Sequence, residues 1–266
     1  MIDQYPISDK QPDTIAPRFA IVIPMLDEAA GAPDLLRECV RVAESIGPYE
    51  ICITNDGSSD ETGAVLAAFR TANPRTCLTI VTHAQSAGQS AALHTAVKAA
   101  RAPIICTLDG DGQNPPAELP ALLAPFLAET SDPTLGLVAG QRAKRNDPVH
   151  KRLASRAANA IRGWLLRDNT RDSGCGLKAY RRDAYLALPY FNHMHRFLPA
   201  LFLRDGWRIM HVDVAHRPRA AGRSKYTNLG RALSGISDLL GVAWLIRRKR
   251  MIGAADVIIS RPAAEA

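Results

Sequence analysis

Four short apolar runs constrain this chain more than any other feature: FAIVIP (residues 19–24), EICIT (50–54), CLTIVT (77–82) and PIICTL (103–108). All four are of strand length and rich in β-branched residues. Between them lie residues 33–46, 62–71 and 88–101, where apolar positions recur at helical spacing. Strands alternating with helices predict a parallel sheet covered on both faces. In such sheets ligands gather beyond the carboxyl ends of the strands. The residues that follow each run are therefore the first candidates for a site: Pro24-Met25-Leu26-Asp27-Glu28, Asn55-Asp56-Gly57-Ser58-Ser59-Asp60, residues 83–89, and the turn TLDGDGQNPP at 107–116.

The second half continues with a strand expected at 135–140 and an arginine-rich helix at about 149–167. A glycine-punctuated segment follows at 172–180, then a helix near 195–205, a strand near 209–215, a basic loop at 217–226 and a last helix at 229–250. Residues 1–17 and those beyond about 250 read as tails. With 47% hydrophobic and 22% charged residues the chain has an ordinary globular composition. Cys39, Cys52, Cys77, Cys106 and Cys175 are odd in number and show no CxxC spacing, so neither a disulfide framework nor a zinc site is expected. A reducing, cytoplasmic setting follows. No apolar run reaches the length of a spanning helix, and the N-terminus has the wrong charge for a signal peptide.

Charge is divided unevenly along the chain. Residues 1–140 hold 8 Lys and Arg against 17 Asp and Glu, whereas residues 141–250 hold 24 against 7. A basic half of this kind faces nucleic acid, an anionic membrane or phosphorylated substrates. Three of the four loops that follow the strands carry carboxylates, and an acidic rim accepts an anion only when a cation mediates. Asp109 and Asp111, one residue apart at a strand end, have the oxygen ligands that Mg²⁺ or Mn²⁺ shares with substrate phosphates. In NDGSSD, Ser59 or Asp60 can cap the following helix while Asp56 accepts from a nucleobase.

The ordered set PMLDE, ITNDGSSDET, AGQSAALHTAVKAA, TLDGDGQNPP and DSGCGLKAYRR resembles family 2 glycosyltransferases, in particular the polyprenyl-phosphate sugar transferases of the dolichol-phosphate mannosyltransferase-like group. The likeness covers about residues 18–250. It implies an α/β fold of the GT-A, Rossmann-like type, mostly parallel and flanked by helices, with a C-terminal amphipathic helix. It also implies a GT-A domain at 18–226, with a donor half at about 18–140 and an acceptor half at about 141–226, then a membrane-proximal helix at 227–250 and a tail at 251–266.

The implied activity is inverting transfer of one sugar from a nucleotide-sugar donor, GDP-mannose or a UDP-sugar, to a polyprenyl phosphate. The resemblance puts Pro24, Glu28 and Asp56 around the base and ribose and Gly88 in the donor loop. Asp109, Asp111 and Gln113 fall around the metal and diphosphate, with the two aspartates as metal ligands and Arg219 and Lys225 closing over the donor phosphates. Arg142, with Lys151, Arg152, Ser155 and Arg156 of the basic helix, is implied to meet the acceptor phosphate. Asp111, Arg142 and Asp172 are the catalytic candidates, Asp172 being open to a base, an acceptor-orienting or a turn role. A phosphate monoester is largely ionised at neutral pH, so the acceptor needs positioning more than deprotonation.

The last helix repeats Leu233, Ile236, Leu240 and Trp244 at helical spacing and ends in Arg247-Arg248-Lys249-Arg250. It reads either as a helix packed on its own domain or as one lying in lipid headgroups. Relatives in the group carry spanning helices beyond this point and none is expected here. Attachment is expected to be peripheral, at the cytoplasmic face of the membrane, directly or through an anchoring subunit or a homo-oligomer. His193 and His195 form no metal pattern and read as surface or packing residues. A dehydrogenase is set aside because MLDEAAG stands where pyrophosphate-binding glycines belong. A nucleotidyltransferase would want a glycine-rich basic loop there. Nucleic acid is not an expected partner, since no reading module or aromatic platform is present. No QxxRW motif occurs, which favours single over processive transfer; a neutral lipid or saccharide hydroxyl is the alternative acceptor.

Overall fold

In the computed structural model the run FAIVIPM becomes β1 (Phe19–Met25), which has a parallel neighbour on each side: β2 (Tyr49–Asn55) and β4 (Ile104–Thr107). A strand so placed loses water from both faces, which is why this sequence is apolar throughout rather than alternating. The structure describes residues 15–142, 162–218 and 228–249.

Among the described residues, β3 (Leu78–Thr82), β5 (Leu135–Arg142), β6 (Lys178–Arg181) and β7 (Arg208–Val214) complete a seven-stranded sheet in the order β3-β2-β1-β4-β6-β5-β7. β6 pairs antiparallel with both β4 and β5, while the remaining pairings are parallel. The sheet is therefore mostly parallel, with one reversed strand in its interior.

The pleat sorts the core into two layers. Phe19, Ile21, Ile23 and Met25 pack with Leu36 and Cys39 of α1 (Ala32–Ile46), Leu66 of α2 (Thr62–Ala72) and Leu122 of α4 (Leu119–Leu127). Ala20 and Val22 face the other way, toward Ala96 of α3 (Gln89–Ala99), Ala184 of α5 (Arg182–Leu186), Leu201 of α6 (Leu198–Arg204) and Val242 of α7 (Asn228–Arg248). Helices on both faces of a sheet give the three-layer α/β arrangement.

The first-half strands and the helices between them fall within a residue or two of their expected bounds, and the expected boundary at residue 140 lies inside β5. Three helices and strands were not anticipated: α4, the short α5 and β6. α4 escapes because Pro120 and Pro125 interrupt its apolar period, although proline is tolerated in a first helical turn. β6 is hidden in the segment expected to be a connector. The helix expected from 195 starts as a 3-10 turn at Met194–Arg196 before α6. Of the helix expected at 149–167, residues 162–166 are helical and the remainder lies outside the described residues.

The chain builds outward from β1 through β2 to β3, then returns to set β4 on the other side of β1. The gap between β1 and β4 is thus a topological switch point, where ligands enter α/β sheets. Further from it, fully buried Glu50 on β2 accepts the main-chain N–H groups of Arg101 (2.6 Å) and Ala102 (2.7 Å), just past the end of α3. Glu50→Ala leaves two donors without an acceptor and is expected to lower stability by about 3 kcal/mol, with Glu50→Gln recovering part of the loss. Urea unfolding of the three proteins would measure this, and equal midpoints would refute it.

Candidate active site

A cleft of about 670 Å³ opens at the switch point. Its walls bring together the segment after β1 (Pro24 to Glu28), the turn after β4 (Asp109 to Asn114), the start of α3 and, from the second half, Arg142, Asp172, Lys178, His195 and Arg196. Acidic and basic halves of the sequence therefore meet at one opening.

The turn after β4 is built around Asp109. Its main-chain N–H donates to Oδ1 of buried Asn114 (2.9 Å), and its carboxylate accepts Nε2 of Gln89 (2.8 Å). Asp111 accepts the N–H of Gln113 at 3.1 Å. Two glycines allow the loops to approach this closely. A Cβ at Gly110 would lie 2.8 Å from the carbonyl oxygen of Pro24, and one at Gly176 would lie 2.5 Å from Cγ of Asp109 and 2.6 Å from Oδ1 of Asn114. Gly176 is presented by the end of the DSGCG segment just before β6, whose register sets Lys178 opposite Thr107.

Burial, and then the charge of Asp111, push the Asp109 carboxyl up to about 6, against the opposing pull of Lys178, Arg142 and the Gln89 hydrogen bond. A buried carboxylate raised by its neighbour's charge in this way fits a divalent cation. Among the described residues no group of three or more His, Cys, Asp or Glu side chains forms a metal cage. The pair suits an octahedral ion that takes its other ligands from water and substrate phosphate.

Asp56, the expected nucleobase acceptor, is held by the segment that follows β3. Its Oδ1 accepts His83 Nδ1 (2.7 Å) and the N–H of Ala87 (2.9 Å), and its Oδ2 accepts Ser86 Oγ and the N–H of Gly88 (both 2.9 Å). Burial raises this carboxyl, but the hydrogen bonds from Ala87, His83, Ser86 and Gly88 together hold it below its usual value. A carboxylate has about four lone-pair sites, and here the 83–88 loop fills them. Gly88 adopts φ +91° where that loop turns into α3. Asp60 accepts the N–H of Thr62, the first residue of α2, at 2.9 Å, while the N-cap position itself is Glu61. Asp27, not singled out in the sequence, accepts the N–H groups of Ser59 (2.6 Å) and Asp60 (3.3 Å) and so ties the first two loops together.

On the basic wall, Arg142 at the end of β5 forms a two-pronged pair with Asp172, Nε to Oδ2 at 2.5 Å and Nη2 to Oδ1 at 2.7 Å. The hydrogen bonds it donates to Asp172, outweighing burial, raise the guanidinium above its ordinary value. Buried Lys178 donates to the carbonyl of Cys175, and burial pushes its ammonium down despite the nearby charges of Asp109 and Asp172. Lys178 and Asn114 were missed in the sequence, and the only signal for Lys178 was its place within the DSGCGLKAYRR motif. Gln113 anchors the 217 segment, its carbonyl accepting the N–H of Arg217 at 2.9 Å. Arg219, Lys225, Lys151, Arg152, Ser155 and Arg156 lie outside the described residues. His193 pairs with Asp238 of α7 (2.8 Å), whereas His195, expected to be a surface or packing residue, lines the cleft.

α7 has two apolar faces. Leu239, Val242, Ala243 and Ile246 pack on the core, while Ile236, Leu240 and Trp244 remain 58–61% exposed. Arg248 lies over the Trp244 ring at 5.9 Å. Lys249 of the terminal basic run pairs with Asp205 at 2.6 Å. Among the described residues no helix is long and apolar enough to cross a membrane.

The family model described as Glycosyl transferase family 2 matches residues 20–188. The undecaprenyl-phosphate 4-deoxy-4-formamido-L-arabinose transferase of Pectobacterium carotovorum is 31% identical over 222 residues, 83% of this chain and 66% of that relative. The dodecaprenyl-phosphate galacturonate synthase of Rhizobium johnstonii is 31% identical over 242 residues, 88% of this chain and 69% of its own length. This chain thus spans about two thirds of the length of the curated relatives it matches. Glucosyl-3-phosphoglycerate synthase from Mycobacterium tuberculosis, solved with Mn²⁺ and UDP-glucose, superposes with a TM-score of 0.64 at 20% identity, covering 86% of this chain and 79% of that one. That likeness establishes the GT-A type of α/β fold.

Gly176→Ala drives a methyl group into the Asp109 carboxylate. It is expected to cost about 1–3 kcal/mol of stability and to weaken Mn²⁺ binding in the presence of UDP by about tenfold or more. Unchanged Mn²⁺ affinity by calorimetry would show that Asp109 does not depend on this contact.

Proposed function

The chain belongs to glycosyl transferase family 2, and on that premise we propose that it moves one sugar, with inversion, from a nucleotide-sugar donor to a polyprenyl phosphate at a membrane surface. The observation that carries this reading is the meeting, in one cleft, of the Asp109–Asp111 turn with the cations Arg142, Lys178 and Arg196. Carboxylates on one side suit a donor diphosphate that brings a metal ion, and fixed cations on the other suit an anionic acceptor. The activities named for the Pectobacterium and Rhizobium relatives support a lipid-phosphate acceptor.

In the proposed reaction an oxygen of the acceptor phosphate attacks the anomeric carbon, the bond from that carbon to the diphosphate breaks, and the nucleoside diphosphate leaves. Mg²⁺ or Mn²⁺, held by Asp109 and Asp111, would neutralise charge building on the departing diphosphate. Lys178 keeps a positive charge close to Asp109 on the floor of the cleft. Glu28, Pro24 and the Asp56-braced loop shape the wall assigned to base and ribose. Arg219 and Lys225 are assigned to the donor phosphates; Lys151, Arg152, Ser155 and Arg156, with Arg142, are assigned to the acceptor phosphate.

Asp172 is the partner that aims Arg142, and this speaks against its service as a free base. A phosphate acceptor, already ionised, has no proton to give up. The tie therefore favours a phosphate over a neutral hydroxyl as nucleophile. Membrane approach is assigned to α7, whose outer stripe of Ile236, Leu240 and Trp244 ends at exposed Arg247 and Arg248. Cations near an anionic surface contribute about 1 kcal/mol each.

The deciding assay offers GDP-mannose and UDP-sugars with Mn²⁺ or Mg²⁺ to the protein, with and without a short polyprenyl phosphate. Lipid-linked sugar is expected only with the phosphate, and Asp111→Ala should abolish it. Asp172→Asn is expected to slow transfer without moving the pH profile, and to add little to Arg142→Lys because the two act as one unit. Transfer to a neutral lipid, or an Asp172→Asn loss on the neutral plateau with disappearance of the acid limb, would instead indicate a base. For the membrane arm, Leu240→Gln with Trp244→Ala should abolish sedimentation with phosphatidylglycerol-rich vesicles while transfer to a soluble short-chain acceptor persists. Retained sedimentation would remove α7 from the contact.

A further inference from the structure

His195 enters the cleft from the 3-10 turn before α6, and its side chain is tied to the first turn of α3. Its Nδ1 lies 2.7 Å from Ser90 Oγ, and its own main-chain N–H points at the same oxygen at 3.4 Å. These are the two hydrogen bonds that the fully buried Ser90 hydroxyl makes among the described residues. A hydroxyl has one proton and two lone pairs. With the main-chain N–H occupying a lone pair, the hydroxyl proton has one acceptor within reach, the Nδ1 of His195. The reverse assignment would bury a hydroxyl donor with no acceptor, which is costly. Nδ1 is therefore the accepting nitrogen, and Nε2 carries the ring proton.

That proton makes His195 a fixed donor. Nε2 forms no hydrogen bond among the described residues, and the residue lines the cleft beside Lys178, Arg196 and Leu198. Burial, reinforced by the charges of Lys178, Arg196 and His193, pushes the imidazole well below its ordinary value and keeps it neutral. A neutral N–H donor flanked by two cations complements a phosphate oxygen. Two phosphates enter this cleft in the proposed reaction, and the Asp109–Asp111 side is assigned to the donor diphosphate. Resting on that reading, we infer that His195, oriented by Ser90, donates its Nε2–H to an oxygen of the acceptor phosphate and aligns it for attack.

Two measurements test this. Nitrogen-15 NMR of the full chain should show His195 as the Nε2–H tautomer, and farnesyl phosphate should shift that resonance more than UDP does. In steady-state transfer, His195→Ala should raise the KM for the lipid phosphate by about tenfold or more and leave the KM for the nucleotide sugar unchanged. His195→Gln, which places an amide N–H near the position of Nε2, should restore most of the loss. An Nδ1–H tautomer, no response to farnesyl phosphate, or a loss that falls on the nucleotide sugar would overturn the inference. If the wild-type protein transfers no sugar to any lipid phosphate, the proposed function fails on that ground, while the tautomer and the farnesyl phosphate titration still decide the role of His195.

Discussion

A carboxylate pressed into the end of an interior strand must be matched by its surroundings, and much of this structure follows from how Asp109 is matched. β4 delivers it to the rim of the sheet, Asn114 and Gln89 hold it there, and Gly176 leaves room for it. The cation that answers it from within the protein, Lys178, arrives on β6. A strand running with its neighbours would carry that segment past the site in the opposite sense. The single reversed strand brings the glycine and then the lysine back over the carboxylate, so a feature of topology is at root an electrostatic solution.

The same economy governs the rest of the cleft. Charged groups here are mostly committed to one another before any ligand arrives: Asp56 to the 83–88 loop, Asp27 to the NDGSSD loop, Asp172 to Arg142. Groups held in this way need little reorganisation when charge develops between them, which is the condition under which a site acts on a transition state. α7 extends the logic to the surface. One face closes the core and the other keeps an apolar stripe exposed.

Legibility differed by residue for physical reasons. Strands of the first half could be read because burial on both faces demands unbroken apolar runs, and turns at their ends because glycine and proline punctuate them. α4 was concealed by its prolines and β6 by its brevity and its glycine-rich approach. Among candidate site residues, Asp109 and Asp111 could be singled out from their spacing at a strand end, and Gln113 only through the family resemblance. Asn114, Lys178 and Ser90 were not, since each acts through a neighbour far away in sequence. The place of His195 was not legible either, because one histidine without a metal pattern carries no local signal, and its partner is a serine 105 positions earlier.

The sequence by itself determined an α/β chain with helices on both faces, a ligand end at the strand termini and an acidic first half facing a basic second. Those properties depend on local period and composition, which the residue order contains. Only the tertiary structure decided which charges would meet, that β6 would run backwards, that the lone pairs of Asp56 would be filled by the remote 83–88 loop, and that His195 would meet Ser90. Such outcomes depend on distances between segments remote in the chain. Hydrogen bonds and close contacts act over a few ångströms, and no residue pattern specifies those separations until the sheet has set them.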